Sequence, residues 1–198
     1  MAFDKLDGSN MRFEYSHKRG FYKFGTRNVM IDSGNEQFGF AVDLFLQKYA
    51  DQLAKVFSAR EYRNSQSFVC FAELVGTRSA FGQHDFDKDT FDIVLFDVNE
   101  HKRGFVPPKR FVDDFGHCGI PRVVYNGKLN MQFINDVKAN KFGLSEGVIG
   151  KGVVSGKKDR TSLYYFKAKT DDWFDRLRIR DRDAYAKELD QANKTKRQ

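Results

Sequence analysis

The chain has 198 residues, of which 40% are apolar and 31% charged, enough for one substantial domain. This composition excludes a disordered or low-complexity chain. No stretch approaches the roughly 18 apolar residues of a membrane span, and the first ten residues lack a signal-peptide pattern. Two cysteines, Cys70 and Cys118, are too few for a disulfide framework. We therefore expect a cytoplasmic protein with no membrane partner.

The chain is basic, with a net charge of +7 from 34 Lys plus Arg against 27 Asp plus Glu. Such an excess favours polyanionic partners such as RNA, DNA or nucleotides, because basic side chains neutralise phosphates and release counterions. A basic surface without such a partner explains the charge equally well. The 21 Phe residues indicate an aromatic core and could include side chains that stack on bases.

The predicted elements alternate strands with a few helices, and no repeat or linker interrupts them. In chain order the pattern predicts two short strands around a turn within residues 11–27, a helix over 36–57, strands at Phe68–Val75 and Phe91–Val98, a short helix from Pro107 to Phe115, a helix over 129–142 and a strand at Leu163–Thr170. From Asp171 the residues are mostly charged with a thin apolar stripe, which predicts a surface helix. We therefore expect one α+β domain over residues 1–170 and a charged helical tail over residues 171–198.

One glycine-rich segment fails as a phosphate loop. Gly147-x-x-Gly150-Lys151 has Ser145 and Gly152 where the Walker pattern needs Gly and then Ser or Thr. The four histidines show no metal-ligand spacing. These patterns therefore indicate neither a P-loop nor a metal centre built from histidine.

Five short segments occur in a fixed order, on strands or at strand ends. They are Lys5-Leu6-Asp7-Gly8-Ser9-Asn10, Glu73-Leu74, Phe96-Asp97, Glu146-Gly147-Val148-Ile149 and Lys167-Ala168-Lys169. The set resembles the covalent nucleotidyltransferase superfamily of DNA ligases, RNA ligases and mRNA capping enzymes, from about Phe3 to Thr170. This resemblance implies an adenylation domain of antiparallel sheets with peripheral helices. Too few residues follow Lys169 for an oligonucleotide-binding barrel, so we expect a minimal catalytic core.

The residues after Lys5 favour RNA ligases within that superfamily. Asn10 stands five residues after Lys5, where DNA ligases and capping enzymes typically have Arg. Lys5-x-x-Gly8-Ser9-Asn10 is similar to the signature of the RNA ligase 2 type. Cys70-Phe71-Ala72-Glu73-Leu74 is similar to the Phe-Gly-Glu-Leu segment of the same ligases, with Ala72 in place of the glycine. The resemblance therefore implies an ATP-dependent enzyme that seals an RNA 5′-phosphate to a 3′-hydroxyl, with a nicked duplex as one possible substrate.

The same resemblance implies roles for four catalytic residues. Lys5 would attack the α-phosphate of ATP and hold AMP as a phosphoramidate. Lys167 and Lys169 would neutralise charge that develops on this phosphate. Glu146 would lie beside Mg²⁺ or Mn²⁺, since such hard cations prefer carboxylate and phosphate oxygens.

The resemblance also implies a set of nucleotide-binding residues. Glu73 would bond to the ribose hydroxyls, Phe96 would stack on the adenine, and Asn10 would contact the triphosphate or the waters of the metal. The full set is Asp7, Gly8, Asn10, Arg27, Glu73 and Phe96. Arg27 would meet phosphates of the nucleotide or the RNA; Arg12 and Lys151 are weaker candidates of the same kind.

Structural explanations exist for several of these residues taken singly. Phe96 could belong to the core, and Lys167 and Lys169 alternate with apolar residues as in any half-exposed strand. That alternation also predicts that both lysines lie on one face. A minimal DNA ligase, a capping guanylyltransferase and a non-catalytic nucleic-acid-binding module remain alternatives. We expect a monomer, of a size that would suit a virus or phage genome.

Overall fold

The computed structural model describes residues 1–155 and 161–195. Within them, the strands are β1 (Ala2–Lys5), β2 (Ser9–Ser16), β3 (Gly20–Thr26), β4 (Met30–Ile31), β5 (Ser67–Gly76), β6 (Phe91–Glu100), β7 (Gly104–Phe105), β8 (Val123–Tyr125), β9 (Gly147–Ser155) and β10 (Thr161–Lys169). The helices are α1 (Gly39–Ser58), α2 (Pro108–Phe115), α3 (Met131–Lys138), α4 (Asp171–Arg180) and α5 (Arg182–Thr195). The chain forms two compact units: a terminal unit, made of residues 1–6 and those from 121 onward, and a central unit, made of residues 7–120.

The terminal unit contains a four-stranded antiparallel sheet in the order β10-β9-β1-β8. Ala2 and Val148 lie on the sheet face that is buried with Phe133 and Val137 of α3. Because side chains alternate along a strand, Lys5 lies on the other face. The N-terminal strand β1, which the sequence pattern did not predict, is an inner strand of this sheet.

The central unit contains a six-stranded antiparallel sheet in the order β4-β3-β2-β5-β6-β7. Helix α1 covers one face, where the rings of Phe13 and Phe45 stack with their centroids 3.6 Å apart. The rings of Phe57 and Phe68 also stack, with their centroids 4.0 Å apart. The many phenylalanines thus build a core on this face, and the polar residues of β2 and β5 are left on the opposite one.

Most predicted elements are confirmed, with one helix shorter than expected. Residues 129–142 contain only α3, which begins after Asn130 because the Asn130 side chain accepts the backbone N–H of Phe133 at 2.8 Å. After Lys138 the chain turns, and Asn140 has a φ of +52°. A residue in this left-handed conformation cannot continue a right-handed helix.

The charged tail forms two helices instead of one. Helix α4 is capped by Thr170, whose hydroxyl accepts the N–H of Trp173 at 3.1 Å. It ends at Asp181, which is extended and whose carboxylate accepts the N–H of Ala184 at 2.9 Å, capping α5. Residues 196–198 of the predicted tail lie outside the described residues, and the boundary at residue 170 stays a prediction. None of the described helices is long and apolar enough to cross a membrane.

Candidate active site

Three lysines share one face of the sheet in the terminal unit. Lys5 on β1 and Lys169 on β10 are both cross-strand partners of Gly147 on β9. Lys167 lies two residues before Lys169 and therefore projects from the same face. The predicted common face of Lys167 and Lys169 is confirmed, and Lys5 joins them there.

A buried carboxylate lies between two of these lysines. Glu146 Oε2 is 2.6 Å from Lys5 Nζ, and Glu146 Oε1 is 2.9 Å from Lys169 Nζ. The Glu146 side chain is only 4% exposed. A buried charge is costly unless it is paired, and here each carboxylate oxygen has its own ammonium partner.

Gly147 explains why glutamate and glycine are adjacent in this segment. A Cβ at Gly147 would meet the carbonyl oxygen of Ala168 at 2.1 Å and Cα of Lys169 at 2.6 Å, and its φ is +157°. Both atoms belong to the backbone and cannot move aside cheaply. The glycine therefore permits the close approach of β9 to β10 that brings Glu146 next to Lys169.

Lys169 has further partners that the sequence did not indicate. Its Nζ lies 3.0 Å from Glu188 Oε2 of helix α5 and 3.5 Å from the centroid of the Trp173 ring. With 8% of its side chain exposed, the charge is held by two carboxylates and an indole. A helix contact of this kind leaves no local signal in the sequence. Lys167, in contrast, is exposed and forms no ion pair with any residue in the described ranges.

The motif that starts at Lys5 continues into the central unit, where Asp7 and Gly8 contact the backbone of other segments. The carboxylate of Asp7 accepts the backbone N–H groups of Phe81 and Gly82 at 2.7 and 2.8 Å. Gly8 packs so closely on the strand β5 that a Cβ would meet the carbonyl oxygen of Leu74 at 2.1 Å. The Asp-Gly pair therefore fixes the path of the chain into β2.

Ser9 connects the same segment to a histidine of the β5–β6 loop. His84 Nε2 lies 2.8 Å from the Ser9 hydroxyl, and His84 Nδ1 lies 2.5 Å from that of Ser79. Burial lowers the pKa of His84, and the nearby carboxylates of Asp89 and Asp7 oppose this change. Nothing in the sequence singles out this histidine, because a hydrogen bond between distant segments has no signature in the sequence.

Asn10 and Glu73 are direct cross-strand partners on β2 and β5. Both lie on the face of the sheet opposite α1, because the alternate residues Met11 and Leu74 are buried under that helix. Arg27 is exposed just after Thr26, the β3 residue that pairs with Met11. The structure thus places Asn10, Glu73 and Arg27 at one end of this sheet.

Strand β6 has a β-bulge at Phe96. On β5, Phe71 pairs with Asp97 while the next residue, Ala72, pairs with Leu95, so the strand register skips Phe96. Its half-buried ring lies 6.4 Å from that of Phe71. A bulge re-aims a side chain, which distinguishes Phe96 from the regular core residues of β6; its role as an adenine platform stays a prediction.

A divalent cation fits this arrangement only if other groups complete its shell. The described residues contain no group of three or more His, Cys, Asp or Glu side chains that could hold a metal. Mg²⁺ commonly uses one or two carboxylates and takes its other ligands from phosphates and water. Glu146 can supply one such carboxylate, because it lies beside Lys5 and Lys169.

Comparisons with known proteins agree with this fold. Over most of its length, the chain is similar to Naegleria gruberi RNA ligase with PPi (TM-score 0.59, 16% identity, 90% of this chain and 51% of that chain). It is similar to a variant of that ligase with ATP and Mn (TM-score 0.55, 15% identity, 87% of this chain and 50% of that chain). It is also similar to a variant with AMP and Mn (TM-score 0.57, 13% identity, 87% of this chain and 49% of that chain). At such identities the likeness shows the fold alone, which is that of these RNA ligase structures.

The family follows from a second comparison. The family model described as RNA ligase matches residues 1–169, so the chain belongs to the RNA ligase family. The predicted superfamily and fold class are therefore confirmed. The chain spans about half the length of the solved ligases it resembles. A search of curated proteins found no match.

Proposed function

We propose that the protein is an ATP-dependent RNA ligase that forms a covalent lysyl-AMP intermediate on Lys5. The observation that carries this proposal is the position of Glu146 between Lys5 and Lys169 on one sheet face. Membership of the RNA ligase family supports it. So do the ATP, AMP and PPi of the Naegleria structures, which are the substrate, transferred group and leaving group of adenylation.

In the first step, Lys5 Nζ attacks the α-phosphorus of ATP. A nitrogen–phosphorus bond forms, the bond from the α-phosphorus to the bridging oxygen breaks, and pyrophosphate leaves with the electron pair. The Lys5 ammonium must lose one proton before the attack and a second as the nitrogen–phosphorus bond forms; Glu146 Oε2, 2.6 Å away, can relay both to water and so stays ionised. Lys167 and Lys169 oppose the negative charge that develops on the phosphate.

Glu146 is also the residue that would hold Mg²⁺ or Mn²⁺. The ion would neutralise charge on the triphosphate, which otherwise repels the approach of electron-rich groups. In the central unit, Glu73 would bond to the ribose hydroxyls and Phe96 would stack on adenine. Asn10 and Arg27 would contact phosphates, while Asp7 and Gly8 hold the segment that carries Asn10.

The remaining steps transfer and then release AMP. An oxygen of the RNA 5′-phosphate attacks the phosphorus of lysyl-AMP, the nitrogen–phosphorus bond breaks, and the Lys5 amine regains its proton. The 3′-hydroxyl of the second RNA end then attacks the activated 5′-phosphate, forming the new phosphodiester and expelling AMP. RNA ends with a 5′-phosphate and a 3′-hydroxyl, free or in a nicked duplex, are therefore the proposed substrates, and we propose a cytoplasmic monomer as the working form.

The test is covalent labelling with α-labelled ATP and Mg²⁺, read by denaturing electrophoresis and intact mass. We expect an AMP adduct on the wild type and none on Lys5→Ala. The matched control is Lys128→Ala, since Lys128 is an exposed lysine of the same unit that bears on none of these steps. That variant should be labelled like the wild type.

Other results would select the alternatives. Labelling by GTP alone would indicate a capping guanylyltransferase. An AMP adduct that is passed only to nicked DNA would indicate a DNA ligase. No adduct on folded protein freed of bound AMP would contradict nucleotidyl transfer and favour a nucleic-acid-binding module.

A further inference from the structure

One tetrapeptide, His-Lys-Arg-Gly, occurs twice in the chain, at residues 17–20 and 101–104. This corrects the expectation that the chain has no repeat. Each copy forms the tight turn of a hairpin, the first between β2 and β3 and the second between β6 and β7. The two glycines have φ values of +67° and +87°, a conformation that suits glycine. The same four residues thus close a hairpin twice, although Lys102 has a φ of +63° and its counterpart Lys18 has no positive φ.

Both turns lie at the same end of the six-stranded sheet. Strand β5 runs between β2 and β6, and its first residue, Ser67, pairs with Ser16, just before the first turn. The carbonyl of Ser67 also accepts the N–H of His101, in the second turn, at 3.0 Å. The nearest strands of the two hairpins, β2 and β6, are two strand spacings apart, which is about 10 Å.

A third basic segment meets the second turn. It leads into β5 and carries Arg60 and Arg63, both exposed. Arg103 of the second turn donates to the carbonyl of Glu61 at 3.4 Å and to the buried carboxylate of Glu100 at 2.7 Å. The hydroxyl of Ser65 donates to the same carboxylate. Glu100 therefore fixes the second turn against this segment.

The resulting surface is strongly cationic; we name it the twin-turn surface and define it as residues 17–19, 60–63 and 101–103. It contains six Lys and Arg residues and one acidic residue, Glu61. Elsewhere several surface lysines are paired with aspartates, as are Lys48, Lys109 and Lys141. Within the described part of the chain, no hydrogen bond or ion pair occupies the side chains of Lys18, Arg60, Arg63 and Lys102.

We propose that the twin-turn surface binds the phosphate backbone of the RNA strand that the enzyme ligates; that the strand is RNA rests on the proposed function. Unpaired, exposed cations can neutralise phosphates and release their counterions without first breaking an internal ion pair. Such contacts position a strand and do not read its bases. The hairpin turns hold the backbone of these cations in place, so RNA binding restricts little besides the cationic side chains themselves.

The position of the surface sets a minimum length of RNA. Ser16, next to the first turn, is six residues along β2 from Asn10, which corresponds to about 20 Å. A stacked strand advances roughly 3.4 Å per nucleotide. An RNA end held at Asn10 would therefore need about six further nucleotides to reach the twin-turn surface.

The test compares two triple variants that each remove three positive charges. The surface variant is Lys18→Gln, Arg63→Gln and Lys102→Asn; asparagine is chosen because Lys102 has a φ of +63°. The control variant is Lys128→Gln, Arg182→Gln and Lys187→Gln, three exposed cations of the terminal unit. The dissociation constant of a 5′-phosphorylated RNA of about 12 nucleotides is measured without ATP between about 50 and 200 mM salt, the range where phosphate contacts dominate.

We expect the surface variant to bind on the order of 10- to 100-fold more weakly at about 0.1 M salt, with a log–log salt slope shallower by about 2. The control variant should stay close to the wild type, and a charge-preserving variant (Lys18→Arg, Arg63→Lys, Lys102→Arg) should bind as the wild type does. Shortening the RNA to about four nucleotides should remove the difference between surface and control variants, since a strand of about 14 Å cannot span the distance. Circular dichroism verifies that each variant is folded.

Several results would overturn the proposal. These are equal weakening in surface and control variants, no weakening in either, or no RNA binding by the wild type. The proposed ligase activity is tested separately, because adenylation of Lys5 needs no RNA. Wild type that binds RNA through this surface but forms no adduct would refute the ligase and leave the binding surface standing. Wild type that forms the adduct while the surface variant binds RNA normally would refute only the surface.

Discussion

In the terminal unit two candidate catalytic lysines are held by ion pairs, whereas in the central unit two candidate residues are held by contacts with backbone atoms. Glu146 fixes Lys5 and Lys169 through ion pairs, and Glu188 adds a second pair to Lys169. In the central unit, the carboxylate of Asp7 accepts two backbone N–H groups, and Gly8 rests against the backbone of β5. Ion pairs can exchange partners when phosphates arrive, but a backbone contact cannot. The terminal unit therefore holds its lysines by ion pairs that can rearrange, and the central unit fixes the positions of Asp7 and Gly8.

The largest expected effect follows from removing the carboxylate that two lysines share. Glu146→Gln should lower the single-turnover rate of self-adenylation by at least about 100-fold, the usual effect of losing a preorganised charged group at the reacting centre. Glu188→Gln is the matched variant: its side chain is 32% exposed, and Lys169 keeps Glu146 when it is lost. We expect that variant to lose less than about tenfold, since Lys169 keeps its ion pair with the buried Glu146 and Glu188 is itself partly solvated.

Equal losses in the two variants would contradict the distinction between them. That result would mean that the tail helix and the Glu-Gly segment support Lys169 to the same extent. Thermal unfolding of both proteins separates an effect on the reaction from a loss of folded enzyme.

The second prediction concerns the glycine in each unit that allows close backbone contact. Gly147→Ala and Gly8→Ala each place a Cβ 2.1 Å from a carbonyl oxygen. We expect each to lower the free energy of unfolding by roughly 2–3 kcal/mol, the upper range for overpacking and strained backbone. Gly119→Ala is the control, because Gly119 has a φ of +83° but nothing within 4 Å of its missing Cβ. It should cost about 1 kcal/mol in urea unfolding, as for left-handed backbone alone.

Local periodicity predicted the elements but not the contacts that assemble the site. Helix α1 and strands β5 and β6 follow from the spacing of apolar residues, and Lys167 and Lys169 share a face because strands alternate. Glu188, by contrast, reaches Lys169 from a helix of the tail. Such contacts depend on how distant segments pack, which a single sequence does not record.

Phe96 shows the same limit within one strand. The residues on both sides of Phe96 are mostly apolar, which predicts a regular buried strand. The bulge arises from the register of β6 against β5. Register is a property of the pair of strands, so one strand's sequence could not show that Phe96 leaves the ladder.

The third prediction tests whether the bulge gives Phe96 a role beyond packing. Phe96→Ala should raise the KM for ATP in self-adenylation by about tenfold, because base–aromatic stacking contributes roughly 1–3 kcal/mol. Phe105→Ala is the control, since that ring is also half-buried and also contacts Phe71, at 5.6 Å. It should change stability without the same change in KM. If both variants alter KM alike, Phe96 is only a packing residue.

The smallest expected effect is the pH dependence that His84 gives to the central unit. Burial lowers the pKa of His84 against the opposing carboxylates of Asp89 and Asp7, and the ring also packs against Phe86 and Phe91. The folded protein thus favours the neutral ring, whereas the unfolded chain takes up a proton near the ordinary pKa of about 6.5. The stability contributed by neutral His84 is therefore complete above that pH and is lost as the pH falls from there through the lower pKa of the folded protein.

Urea unfolding at about pH 7.5 and pH 5.5, on either side of the ordinary histidine pKa, measures this loss. We expect the wild type to lose more stability on acidification than His84→Asn, whose amide can still bond to Ser9 or Ser79 but does not titrate. The difference should be smaller than the effect of either close-contact glycine, because the two serine hydroxyls can accept hydrogen bonds from the protonated ring as well. An identical pH dependence in both proteins would mean that His84 does not couple protonation to folding.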